Sequence, residues 1–262
     1  MAELLFWPAL LAYGEACVAY AGNTWRPGVL GRLATWGVRV GWLVQTGLLG
    51  LQATRADGFP WDTWADSLNL FVWLVVGIYL VWGCRARYGL LGLAVMPLAV
   101  VLLLVAWAGG GTEAGGPSRY SDLFLVLHVG SVLVAFAAFT VAAALAALYL
   151  WQERRLKDGS AGSVLRLRAP SLGALDKLSA RTIALAFPAL TIGIATGLAR
   201  LASHGGDFDA TVVATLVAWV VYATFMVVRY GAGWRGRRTA YLVLLGFALV
   251  LLVRLGLPLT HA

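Results

Sequence analysis

The chain contains three histidines, and each lies at or near the end of a long apolar segment. His128 lies about two turns into one segment, His204 follows another, and His261 lies just past a third. Neutral imidazole is a common ligand of haem iron and of transition-metal ions. If these segments cross a membrane and the three histidines share one face, the sequence predicts a haem or metal site at that face.

The elements that must position these histidines are apolar helices. Of the 262 residues, 61% are hydrophobic and only 12% are charged, whereas about a quarter of residues are charged in soluble domains. Apolar stretches of about 18 residues or more are long enough to cross a bilayer. We predict eight such spans, at residues 4–22, 33–52, 67–84, 89–108, 122–150, 182–202, 210–229 and 238–257.

Backbone chemistry then sets the fold class. A backbone exposed to lipid must satisfy its own hydrogen bonds, so each span is predicted to be an α-helix and the fold class to be all-α. Residues 1–262 are predicted to form a single membrane domain. The first stretch lacks a basic leader region and a cleavage site, so we expect a retained helix.

The basic residues predict the orientation of the chain. Fifteen of the 20 Lys and Arg residues lie in alternate loops, seven of them within 152–181, and the other loops hold three. Cytoplasmic loops carry the excess of Lys and Arg. The sequence therefore predicts both termini outside a bacterial plasma membrane and a basic cytoplasmic loop at 152–181. The net charge of +8 is attributed to this orientation, and no basic groove for nucleic acid is evident.

With this orientation all three histidines lie toward the outside. His128 falls inside a span, where an ionisable residue is costly and usually faces a partner or a cavity. It could be a neutral imidazole that donates to a backbone carbonyl, or a ligand that is paired with His261. His204 is predicted to lie in an outer loop, where a solvated side chain is its simplest role.

Several phrases, taken in order, resemble one family. They are LHVGSVLVAFAAF and AALYLWQERRLK at the fifth span, ALAFPALTIGIATGLAR at the sixth, DFDATVVATLVAWVVYATFMVVR at the seventh, and GWRGRRTAYLVLLGF at the eighth. These phrases resemble the cytochrome c assembly membrane proteins of the CcsA type and HemX type, which handle haem. The resemblance covers about residues 60–262, and the eight spans and the chain length favour the HemX-type branch.

The resemblance implies roles for individual residues. Family members of the CcsA type bind haem between two outer histidines, which implies that His128 and His261 are axial ligands of a non-covalent haem b. Phe208 and Asp209 stand where the family's tryptophan-rich loop has Trp-Asp, but the other tryptophans of that loop and its Pro-Lys-Glu are missing. Val227 replaces a deeper family histidine, and no histidine precedes His128, so no second haem site is expected.

Other side chains could complete an outer haem site. Arg254 and Arg200 could bind the propionates, although Arg254 could instead extend to the lipid headgroups. The candidates for apolar walls are Trp61, Trp64, Phe124 and Phe208. Trp61 and Trp64 could equally be anchors at the membrane interface.

A few further residues carry structural expectations. Glu15 and Arg39 lie within spans, where pairing would relieve the cost of both charges. Asp66 is expected to cap the third span, and Pro97 and Pro188 are expected to kink or interrupt their helices.

The glycines and cysteines of the chain are expected to serve packing. The pair Gly193 and Gly197 favours close helix packing, and Cys17 and Cys84 are expected to pack as small apolar residues.

Three functions remain open. The first is a haem-binding assembly factor for c-type cytochromes, acting at the outer face with haem, the bilayer and other assembly proteins as partners. The second is a HemX-type regulator of tetrapyrrole synthesis that contacts a soluble enzyme such as glutamyl-tRNA reductase through 152–181. The third is an accessory subunit of a respiratory complex that has lost haem. No phosphate-binding loop, nucleophile elbow or pair of catalytic carboxylates is found, so we do not expect an enzyme.

Overall fold

The computed structural model describes residues 2–25, 28–55, 63–82, 84, 88–112, 122–159, 169–204 and 210–256, with the backbone alone at 2, 3, 122, 125, 204, 210, 211 and 252–256. Within these ranges the chain is helical and contains no strand, which confirms the all-α prediction. The helices are α1 (Ala2–Asn23), α2 (Val29–Arg55), α3 (Trp64–Trp82), α4 (Gly89–Ala108), α5 (Asp122–Leu125), α6 (Ser131–Lys157), α7 (Leu172–His204), α8 (Ala210–Met226) and α9 (Arg237–Gly256). Two π-helical turns, Val126–Gly130 and Val227–Gly231, follow α5 and α8.

Within the described part of the chain, six helical segments are long and apolar enough to cross a membrane. They are Leu4–Asn23, Trp64–Trp82, Gly89–Ala108, Val126–Lys157, Leu172–Ser203 and Val212–Gly231. The remaining two predicted spans correspond to α2 and α9, which are 27 and 20 residues long. Polar residues such as Arg39, Gln45 and Gln52 make α2 less apolar than the six. The chain is thus a multi-pass protein, and the count of eight spans stays a prediction.

The helices form two compact units. The N-terminal unit is Met1–Leu125 with Ala161–Pro170, and the C-terminal unit is Val126–Ser160 with Ser171–Ala262. In the N-terminal unit, α1 packs along α2 and α4, and α3 packs against α2 and α4. Glycines allow the α1–α2 contact: a Cβ atom on Gly41 would lie 2.6 Å from the Tyr13 ring.

A buried polar network joins α1, α2, α3 and the turn after α4. The Tyr13 hydroxyl donates to Gln45 Oε1 at 2.7 Å, and Gln45 Nε2 donates to Asn69 Oδ1 at 2.9 Å. Asn69 Nδ2 and Gln52 Nε2 both donate to the Gly111 carbonyl, at 3.0 and 3.2 Å. Buried amides cost little free energy when they are hydrogen-bonded and much when they are not. The network therefore fixes the register of these elements.

The start of α3 differs in detail from the cap that we predicted. Asp66 lies in the first turn, and its N–H donates to Thr63 Oγ1 at 3.1 Å, so Thr63 supplies the capping oxygen. The Asp66 carboxylate is only 2% exposed and accepts from Gln52 Nε2 at 3.3 Å. Asp66 thus connects α3 to the polar network in addition to favouring the helix N-terminus.

In the C-terminal unit, α6 packs against α7 and α9, while α8 packs against α7 and α9. Alanine is the most frequent residue on the buried face of α6 and allows close packing; the buried alanines are Ala135, Ala137, Ala138, Ala142, Ala143 and Ala146. Phe139 of α6 stacks on Tyr222 of α8 with ring centroids 3.7 Å apart. α4 and α7 each continue through Pro97 and Pro188 as one helix, so these prolines do not interrupt them.

The loop at 152–181 is shorter than we predicted. α6 continues to Lys157 and α7 begins at Leu172, so both ends of the predicted loop are helical. The charged residues of these ends, such as Arg154, lie on helix extensions. Charge patterns mark where a membrane ends, whereas a helix ends where its hydrogen bonds end, and the two need not coincide.

Candidate functional site

His128 lies at the centre of the π-helical turn Val126–Gly130. A π-helical turn accommodates an extra residue in a helix and is common at functional sites. The Ser131 hydroxyl donates to the Leu127 carbonyl and approaches the His128 carbonyl at 3.4 Å, so it satisfies acceptors of the widened turn. The sequence did not reveal this turn, because its residues are as apolar as those of the flanking helix.

The imidazole of His128 is hydrogen-bonded to α7. Its Nδ1 atom lies 2.8 Å from the Gly193 carbonyl oxygen and 3.4 Å from Thr196 Oγ1. A carbonyl oxygen can only accept a hydrogen bond, so Nδ1 carries the proton in the neutral ring and Nε2 carries the lone pair. The contact therefore selects Nε2 as the nitrogen that could bind a metal ion.

Glycines provide the space that this geometry needs. A Cβ atom on Gly197 would lie 2.8 Å from His128 Cε1 and 3.2 Å from Nδ1. A Cβ atom on Gly193 would lie 2.5 Å from Val132 Cγ2. The predicted close approach at this glycine pair is confirmed. The sequence indicated a packing role for Gly197 but did not indicate that it makes room for a histidine.

The described residues fit the role of a haem ligand. The hydrogen bond to Gly193 is the backbone contact that a purely structural histidine would make, and it is also how metal-binding histidines are usually oriented. The His128 side chain is only partly buried, and the exposed side chains of Val126 and Leu127 lie beside it in the chain. A neutral imidazole with an apolar surface nearby suits the binding of a macrocycle.

The other predicted site residues are only partly described. His261, Phe208, Asp209 and Trp61 lie outside the described residues. His204 ends α7 and is therefore helical rather than part of a loop, and Arg254 lies in α9, but neither side chain is described. The pairing of His128 with His261 stays a prediction.

Three further candidates are described individually. Trp64 begins α3 and is exposed, as an interfacial anchor would be. Phe124 lies in α5 and is partly exposed. Arg200 lies on α7 one turn after Thr196, and spacing of four residues puts the two on the same side of the helix.

Val227 begins the second π-helical turn and is exposed. An aliphatic side chain cannot bind iron, so Val227 cannot be a ligand. Beside it, Arg229 binds Asp176 of α7 at 2.8 Å, with both side chains largely buried.

The expected pairing of Glu15 with Arg39 is wrong. Both side chains are exposed, and the ion pairs found among the described residues involve other side chains. The Glu15 carboxylate instead lies over Gly37, whose added Cβ would be 2.5 Å from Oε2. Arg39 lies over the Trp36 ring, 5.4 Å from its centroid. Because Gly37 has no side chain, the Glu15 side chain can lie against the surface of α2.

The two cysteines are free thiols. Burial raises the pKa of the Cys84 thiol, an effect that hydrogen bonding to Tyr20 and the charge of Arg39 oppose. A protonated thiol at neutral pH agrees with the packing role expected from the sequence. Within the described ranges, no three His, Cys, Asp or Glu side chains gather as a metal site.

The helices and the oriented histidine define a multi-pass membrane protein in which, among the described side chains, His128 is the candidate ligand for a metal centre. A sequence model of the family described as "Cytochrome C assembly protein" matches residues 61–261. The chain belongs to this family.

Individual relatives agree with this assignment. "Cytochrome c biogenesis protein CcsA" of Synechococcus elongatus is 29% identical over 302 residues, covering 96% of this chain and 90% of the relative. The protein of the same name from Gloeobacter violaceus is 27% identical over 285 residues, covering 87% of this chain and 84% of the relative. No solved structure matches the chain. The HemX-type branch stays a prediction.

Proposed function

We propose that this protein binds haem at the outer face of a bacterial plasma membrane during the assembly of c-type cytochromes. His128 is one axial ligand through Nε2, and His261 is the other. The observation that carries this proposal is the hydrogen bond between His128 Nδ1 and the Gly193 carbonyl, together with the space that Gly197 leaves for the ring. Membership of the cytochrome c assembly family supports the role in c-type cytochrome biogenesis.

The proposed topology has eight spans and both termini outside. α2 and α9 supply the two spans beyond the six that are apolar enough by composition alone. The distribution of Lys and Arg supports this orientation, because the basic ends of α6 and α9 then face the cytoplasm. In this orientation His128, near the start of the α5–α6 segment, lies toward the outer face.

The remaining residues of the proposed site hold the macrocycle. Phe208 provides an apolar wall, and Arg254 binds a propionate. Asp209 takes the place of the aspartate in the Trp-Asp pair of the family's tryptophan-rich loop. The haem is non-covalent haem b, which supplies an iron that two neutral imidazoles can bind. The protein holds haem for its partners, which include other assembly proteins, and performs no bond-making chemistry itself.

Optical spectra of the purified protein test this proposal. Detergent-purified protein that is titrated with haem should give a bis-histidine spectrum, and His128→Ala with His261→Ala should reduce haem occupancy at least tenfold. His204→Ala is the matched control, since it removes the third imidazole and should leave the spectrum unchanged. A double variant with the spectrum of the unmodified protein would refute the assignment of both ligands.

The same preparation separates the other two functions. A colourless protein that co-purifies with glutamyl-tRNA reductase through the segment 152–181 would favour the regulator of tetrapyrrole synthesis. A colourless protein that is stoichiometric in a respiratory complex would favour an accessory subunit. Either result would overturn the proposed haem site.

A further inference from the structure

Two arginines from different helices meet at one tyrosine in the C-terminal unit. Arg237, which begins α9, donates from Nε and Nη2 to the Tyr241 hydroxyl at 3.3 and 3.2 Å. Arg154, in the last turn of α6, lies near the same hydroxyl. Because α6 packs against α9, two guanidinium groups from neighbouring helices lie beside one hydroxyl.

Nearby carboxylates do not neutralise this pair. Glu153 binds Lys157 at 2.8 Å, and Asp176 binds Arg229 at 2.8 Å. Glu153 also attracts Arg237 at longer range, but neither Arg154 nor Arg237 forms an ion pair with any described carboxylate. Like charges at close range repel. An anion between the two arginines would remove this repulsion.

Two further arginines, each next in the chain to one of this pair, lie over aromatic rings. Arg155 lies over the Trp151 ring, 5.7 Å from its centroid, and Arg238 lies over the Trp234 ring at 5.4 Å. Tryptophan is enriched at the level of lipid headgroups. These contacts indicate that the basic end of the unit lies at a membrane surface.

The exposed face of α9 changes from charged to aliphatic along its length. Arg237 is followed at intervals of four residues by Tyr241, which is 42% exposed, and by Leu245, which is 52% exposed. Residues four apart share one side of a helix. A ligand that is bound at Arg237 and extends along this face would pass from cationic to aliphatic surroundings.

We propose that Arg154, Arg237 and Tyr241 bind the phosphate of an anionic phospholipid, whose acyl chain lies along Leu245. Guanidinium groups bind phosphate oxygens with paired hydrogen bonds, and basic pockets between helices at the cytoplasmic side suit anionic headgroups. The aliphatic continuation at Leu245 is what favours a lipid over free phosphate. This site is separate from the proposed haem site and does not depend on haem binding.

Lipid retention by purified protein tests the proposal. Detergent-purified protein is mixed with phosphatidylglycerol or phosphatidylcholine, and bound lipid is counted by native mass spectrometry. Arg154→Gln with Arg237→Gln should reduce retained phosphatidylglycerol about tenfold, and Tyr241→Phe about threefold. Arg155→Gln with Arg238→Gln is the matched control, because it removes the same charge from two arginines that lie over tryptophans.

The outcomes decide between a specific site and general attraction. Preference for phosphatidylglycerol that is lost only in the Arg154 and Arg237 variant supports the proposal. Equal losses in both double variants would overturn it, since net charge alone would then explain binding. Displacement of phosphatidylglycerol by millimolar inorganic phosphate, or equal retention of phosphatidylcholine, would also overturn it.

Discussion

Replacing Gly197 by alanine should displace the His128 ring without altering any polar group. The added Cβ would lie 2.8 Å from His128 Cε1, whereas carbon atoms in contact prefer about 3.5–4.0 Å. The ring must therefore move by about 0.7 Å or more, away from α7. That movement lengthens the 2.8 Å contact between Nδ1 and the Gly193 carbonyl, which is worth about 1 kcal/mol.

The consequence for haem follows from the role of that hydrogen bond. Loss of a group that orients a metal-binding histidine typically costs about 10–100-fold in affinity. We expect Gly197→Ala to weaken haem binding by about tenfold, or about 1.4 kcal/mol. Haem titration of detergent-purified protein, followed by absorbance, measures this change.

Gly173→Ala is the matched control for this prediction. Gly173 lies on the same helix, and its added Cβ would meet no atom within 4 Å. Alanine is favoured over glycine in a helix by about 1 kcal/mol, so this variant should bind haem normally. Equal haem affinity in the Gly197 and Gly173 variants would refute the reasoning, because crowding of the His128 ring would then have no effect on binding.

Three other measurements test the packing of the two units and the state of one thiol. Asn69→Leu should lower the melting temperature measurably and destabilise the fold by about 2 kcal/mol, because it removes the hydrogen bonds that the Asn69 amide makes with the Gly111 carbonyl and with Gln45 Nε2; an unchanged melting temperature would argue against the network. Asp176→Ala should cost about 2–3 kcal/mol, because it leaves the largely buried Arg229 unpaired, whereas Glu153→Gln should cost less than about 1 kcal/mol. Burial keeps the Cys84 thiol protonated. In a Cys17→Ala background, alkylation of Cys84 should therefore be slower at pH 7.5 than alkylation of a free peptide thiol, and its rate should increase only at higher pH. A rate equal to that of the peptide thiol would contradict this.

Much of the fold could be predicted from the sequence because hydrophobic length and backbone hydrogen bonding act locally. The positions of α3 and α4 follow closely from the apolar runs. Helix ends were less predictable: α7 begins at Leu172, well before the apolar run, since a helix can continue into water. The network around Gln45 and Gln52 was missed. Their spacing of seven residues, which puts both on one side of α2, is the signal that could have found it.

The candidate site was predictable in part. Its histidine could be identified, since an imidazole in an apolar span is unusual. The sequence could not predict its hydrogen bond to Gly193 or the space at Gly197, because both depend on how two helices cross. Glu15 and Arg39 show the same limit. Opposite charges in neighbouring spans suggested a pair, but the space beside Gly37 determines where the Glu15 side chain lies.

The buried amides of α2 have an expected consequence for how the protein enters the membrane. A segment with Gln45, Gln52 and Arg39 partitions poorly into lipid by itself, because its polar groups would leave water without partners. Asn69 and Asp66 of α3 supply partners for the two glutamines. We therefore expect the translocon to release α2 and α3 as a hairpin, after the second helix has been synthesised. Early N-terminal fragments that stop before α3 should consequently fail to integrate stably.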